Sequence, residues 1–133
     1  MKRIIRGLML IITVLFVCQS CTHETKYCYY LSEKNEVDES VYCGNSYKEG
    51  GVITKLYNQY MLKGDREGFM KKWSENCLSL IRAPRKVVVR RIYKEEGFAK
   101  IRFRNYNATG GIDNRYVTVY VPILTLHDTL PFE

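Results

Sequence analysis

Apolar positions along this chain change their period three times. From Leu8 to Val17 they are almost unbroken, behind a basic head of Lys2, Arg3 and Arg6 and ahead of Cys18-Gln19-Ser20-Cys21. The run falls short of the roughly 20 apolar residues that cross a bilayer. A basic head, a short apolar middle and small residues at its end predict an export segment rather than structure. Between residues 22 and 50 the pattern is irregular. Two apolar patches, Tyr27-Cys28-Tyr29-Tyr30-Leu31 and Val41-Tyr42-Cys43, flank a polar, acidic stretch. They read either as short strands or as coil held together at Cys28 and Cys43. Helical spacing then sets in. Ile53, Leu56, Tyr57, Tyr60 and Met61 share one face, and Phe69, Met70, Trp73, Cys77, Leu80 and Ile81 share a second. Gly64 suits a left-handed cap for the first helix, Asp65 can cap the start of the second, and Pro84 stops it.

Beyond Pro84 the period drops to two. Val87, Val89 and Tyr93 share a parity, as do Ala99, Ile101 and Phe103, and then Val117, Val119, Val121 and Ile123. The opposite parity carries Arg90 and Lys94, then Lys100, Arg102 and Arg104, then Tyr116, Thr118 and Tyr120. One apolar face and one basic, tyrosine-bearing face predict a half-buried antiparallel sheet. Glu95-Glu96-Gly97 supplies the first turn, and Asn107 to Asn114 the second. Arg91 interrupts the apolar face. The architecture expected is α+β, a helical hairpin packed on a three-stranded antiparallel meander. The turn at Lys63-Gly64-Asp65, with Tyr60 before it and Phe69 and Trp73 after it, is similar to one tetratricopeptide unit. A single unit cannot bury its faces, so the likeness is read as shared packing physics.

Composition is that of a folded domain, with 46% hydrophobic and 13% aromatic residues, eleven of them tyrosine. Charge is unevenly spread. Residues 82–115 hold ten basic and three acidic residues, whereas residues 22–81 are close to balance. A basic stretch of this kind points to an anionic partner, or to the solvated outer face of a sheet.

Ser20-Cys21, closing the export segment, resembles the lipobox of bacterial lipoproteins with a type II signal peptide. Cys18 stands where that family usually carries leucine. The resemblance covers residues 1–21 and implies cleavage before Cys21, which would receive a diacylglycerol thioether and an amide-linked acyl chain; ordinary secretory cleavage after Ser20 is the alternative. Two or more acyl chains give stable membrane anchoring. The organisation expected is a signal peptide at 1–20, a lipidated tether at 21–27 and one small domain at 28–133. The compartment is the cell envelope, with the outer membrane expected. Nucleic acid is then no partner. A lipid bilayer reached through Cys21 and an envelope protein are the expected ones, or else anionic lipid, glycan or cell-wall groups.

With Cys21 acylated, three cysteines remain. Cys28–Cys43 is the disulfide expected in an exported domain, although Cys77 could pair with either. On its helical stripe Cys77 reads as a small core residue. The chain carries no GxSxG elbow, HExxH or phosphate-binding glycine loop, and His23 and His127 lack an evident catalytic partner. No catalytic residue, cofactor or metal is expected. Asp128-Thr129-Leu130 is similar to a bacterial O-glycosylation signal, or is a plain polar turn. The candidate interaction face is Arg90, Lys94, Lys100, Arg102, Arg104, Tyr116 and Tyr120. On it rests the expected function, a non-enzymatic interaction module of the envelope, in its narrower form an accessory subunit of a secretion or conjugation assembly. The alternative is a ligand-binding lipoprotein.

Overall fold

The computed structural model describes residues 23–106 and 112–132, with only the backbone at 105, 106 and 112–114. In chain order its elements are β1 (Thr25–Cys28), β2 (Ser40–Cys43), α1 (Tyr47–Gln59), a 3-10 turn (Met61–Lys63) and α2 (Arg66–Glu75). Then come β3 (Ser79–Arg82), β4 (Arg85–Tyr93), β5 (Phe98–Tyr106), β6 (Ile112–Pro122), a second 3-10 turn (Ile123–Thr125) and β7 (Leu126–His127). Residues 1–22, which hold the export segment and Cys21, and 107–111, most of the expected second turn, lie outside the described residues.

The chain is mixed α+β, but the helical hairpin does not sit on a three-stranded meander. A five-stranded antiparallel sheet runs β6-β5-β4-β1-β7, and a separate ribbon pairs β2 with β3. The apolar face of the larger sheet, with Val87, Val89, Ala99, Ile101, Val119 and Val121, packs against Val41 and Cys43 of β2 and Ile81 of β3. A fully buried aliphatic side chain contributes roughly 1.5–3 kcal/mol, so this layer carries much of the stability. Gly44 prolongs the ribbon onto the edge of β6, exchanging backbone hydrogen bonds with Tyr120 at 2.9 and 2.8 Å. The helices lie on the other side of the ribbon. Ile53, Leu56, Tyr57, Met61 and Phe69 enclose Tyr42, whose side chain alternates away from Val41 and Cys43, together with Tyr30 and Leu78.

Several local expectations hold and others shift. Gly64 adopts φ 74° and closes the 3-10 turn, and Asp65 accepts a hydrogen bond from the Gly68 N–H at 2.9 Å as the cap of α2. Ser46 caps α1 in the same way, accepting from the Glu49 N–H at 3.2 Å. The second helix ends at Glu75, well before Pro84, because Cys77 takes the left-handed conformation at φ 52°. Leu80 and Ile81, read as helical stripe, are strand residues of β3 opposite Tyr42 and Val41. The supposed tether is already sheet from Thr25, since β1 inserts between β4 and β7. β1 and β2 therefore do not pair with each other.

Gly97, at φ 81°, turns β4 into β5, its N–H bonding to the Tyr93 carbonyl at 2.9 Å. A bulge between Val89 and Arg91 accounts for the break in alternation. Val89 pairs with Ile101 and Arg91 with Lys100, so the extra residue rotates Arg91 onto the basic face. It likewise turns Tyr93 out of the apolar face, beside Phe98.

Candidate functional site

The register of the large sheet builds one basic surface. Val88 lies opposite Arg102, Arg102 opposite Thr118, and Arg104 opposite Tyr116. Cross-strand neighbours on one face stand about 5 Å apart, which leaves these side chains in mutual reach. A cleft of about 870 Å³ opens here, lined by Arg85, Lys86, Arg90, Arg102 and Arg104. Thr25, Pro84, Val88 and Tyr116 complete its surface, while Val87 and Phe103, which also border it, turn their side chains to the apolar core. Among the described residues no carboxylate lines it. Among the described residues no ion pair engages Lys86, Arg90, Arg102 or Arg104.

Aromatic rings hold the arginines. The Arg102 guanidinium lies 4.0 Å from the Tyr116 ring centroid and that of Arg104 lies 5.7 Å from the same ring. Arg85 stacks on Phe103 at 4.8 Å and donates to the carbonyl oxygens of Arg82 and Arg104 at 3.3 and 3.2 Å. A guanidinium stacked through its face keeps its in-plane N–H fork available for a carboxylate or phosphate. Arg85, with donors engaged by backbone, acts as a strut. Lys86, Arg90, Arg102 and Arg104 are the groups that can meet an anion.

Of the residues chosen from the alternation, Arg90, Arg102, Arg104 and Tyr116 converge on this cleft. Lys94 does not, being in the exposed turn after β4. Lys100 is half-buried between Arg91 and Tyr120. Tyr120 belongs to packing instead. With Tyr47, Tyr93 and Phe98 it forms an aromatic group over which α1 passes, so closely that a Cβ on Gly50 would fall 2.8 Å from that of Tyr120. Sequence reasoning missed Lys86 and Arg85. Lys86 shares the parity of Val88 and Arg90 and could have been found by carrying the alternation back to the start of β4; the role of Arg85 depends on Phe103 and on the Arg104 carbonyl.

The cysteines differ from expectation. Cys28 and Cys43 end short strands, one of the two readings of their patches, but both are buried and free rather than bridged. The Cys28 thiol donates to the Thr125 hydroxyl at 3.7 Å. Burial pushes both thiols up to about 12. Cys77 is free and exposed beyond the end of α2, not a core residue.

His127 is stacked on Tyr29, with centroids 3.8 Å apart, and its Nε2 lies 3.1 Å from the Tyr29 carbonyl oxygen. Its neighbour Asp128 turns to Lys26, whose ammonium holds that carboxyl below the usual carboxylate range. His23 is exposed, as is Thr129 in its bend. Among the described residues no three His, Cys, Asp or Glu side chains are grouped so as to hold a metal ion, and no helix is long and apolar enough to cross a membrane. Among the described residues the buried Asp38 Oδ2 lacks a hydrogen-bond partner, while Oδ1 of the same residue accepts from Arg66. No family model, no curated protein and no solved structure matches this chain.

Proposed function

We propose that this protein is a lipid-anchored, non-enzymatic binding module of the bacterial cell envelope, and that the basic cleft is its contact surface. The observation that carries the reading is the convergence of Lys86, Arg90, Arg102 and Arg104 on one side of the sheet with no carboxylate of the described residues in the lining. Four neighbouring cations without acidic partners among the described residues repel one another, and a bound anion relieves that repulsion. Stacking on Tyr116 limits the side-chain entropy lost when the anion arrives. The anchor rests on the lipobox-like Ser20-Cys21.

Full-length protein carrying Arg102→Glu and Arg104→Glu tests this. After crosslinking in intact cells, the double variant loses whatever the wild type retains, while both reach the envelope in equal amount. Unchanged association would reduce the cleft to solvated surface. The narrower form, an accessory subunit of a secretion or conjugation assembly, requires a stoichiometric protein among the retained molecules.

A further inference from the structure

Resting on that reading, we propose that the occupant of the basic cleft is the anionic phospholipid head-group layer of the membrane that holds the protein's own acyl chains.

Chain length makes the first argument. Thr25 lines the cleft and lies four residues after Cys21. Four residues span at most about 14 Å when fully extended. From Thr25 the sheet runs through Val88 to Arg102, two strand spacings or roughly 10 Å away. An acylated Cys21 lies at the lipid–water boundary, so the tether keeps the cleft within about 25 Å of the head groups and lets it fold back onto them. Only with the cleft turned to the membrane do its charges come within the Debye length of about 8 Å, so the attraction selects that orientation.

The chemistry of the lining makes the second. Arg102 and Arg104 present planar forks that match phosphate oxygens in pairs, and Lys86 and Arg90 add point charges beside them. Pro84, Val88 and the Tyr116 ring add apolar surface beside these charges, which suits the carbon part of a lipid next to its phosphate. An acidic protein surface offers carboxylates but no such apolar neighbour at every site. Glu24, the acidic residue just ahead of β1, pairs with Lys26 at 3.6 Å. Docked in this way, the end of the basic face that carries the cleft lies against the membrane, beyond the aromatic group that α1 covers. The tether sets the distance and the cleft sets the orientation.

A photo-crosslinking amino acid at Tyr116, which is 52% exposed, reads the contact directly in cells producing the full-length chain. Leu62, 51% exposed on the helical side, carries the same group as control. The expected result is a phospholipid adduct at position 116, absent at position 62. Adding Arg102→Glu and Arg104→Glu then cuts the adduct about ten-fold, as loss and reversal of membrane-facing cations predicts. A protein adduct at 116, no adduct there, or equal lipid adducts at both positions would overturn the proposal. Mass analysis of the amino-terminal peptide separates the two levels of failure. An acylated Cys21 without lipid at 116 sinks this inference alone, and an unacylated chain sinks the anchor and the inference together.

Discussion

A cysteine reacts through its thiolate, so environment decides which of the three described thiols can be modified. Cys28 and Cys43 lie in the core with their thiols held protonated by burial, and Cys77 stands exposed. In native protein a maleimide is expected to label Cys77 alone, with the other two reacting only after denaturation; mass analysis before and after guanidinium checks it. Failure of Cys28 and Cys43 to react even then, without reductant, would reveal the disulfide that the structure lacks. The same two thiols set an alkaline limit. Below pH 9 both folded and unfolded chains keep these protons. Between about 9 and about 12 the unfolded chain loses them and the folded chain does not, so stability falls as pH rises through that window. Denaturant unfolding in reducing buffer at pH 8 and pH 10.5 measures the slope. Cys28→Ala with Cys43→Ala should flatten it by on the order of 4 kcal/mol, about 1.36 kcal/mol being lost per thiol and pH unit above 9.

At the scale of elements, close approach and termination matter more than propensity. Gly50 and Gly51 are poor helix formers, yet α1 runs through them because the helix must lie against Tyr120 and Phe98. Gly50→Ala is therefore expected to destabilise by about 1–3 kcal/mol through overpacking, despite its better propensity, and a thermal melt checks it. Cys77 is the opposite case. It holds a left-handed conformation after α2 that favours glycine, so Cys77→Gly should stabilise by about 0.5–1 kcal/mol. Apolar spacing could not reveal that stop. Cys77, Leu80 and Ile81 continue a helical stripe in sequence, and β3 wins because β2 supplies a partner strand and a core for Ile81. The bulge at Arg90 was similarly visible only as an unexplained Arg91.

For the molecule as a whole, charge and stability separate. Arg104 is exposed and Arg102 only partly covered, so reversing both to glutamate should leave the melting temperature within a few degrees of wild type. Binding should respond much more, and association of the wild type should weaken as salt rises from 0.05 to about 0.5 M while stability changes little. Co-sedimentation of the full-length protein with anionic and neutral vesicles at several salt concentrations measures both arms. Insensitivity to salt would argue against an electrostatic contact.

Period and parity in the sequence determined a good deal by themselves. Alternation from Val87 to Ile123 marked out the strands that became β4, β5 and β6, and placed Arg90, Arg102, Arg104 and Tyr116 on one side, because a pleated strand leaves each side chain only two directions. Gly64, Asp65 and Gly97 marked turns because their backbone and capping chemistry is local. Tertiary structure alone decided that β1 and β7 extend the sheet, that the β2–β3 ribbon rather than the helices covers its apolar face, and that Lys86 and Arg85 join the cleft. Those outcomes depend on pairing between segments distant in the chain, and the same hydrophobic pattern satisfies several pairings until packing selects one.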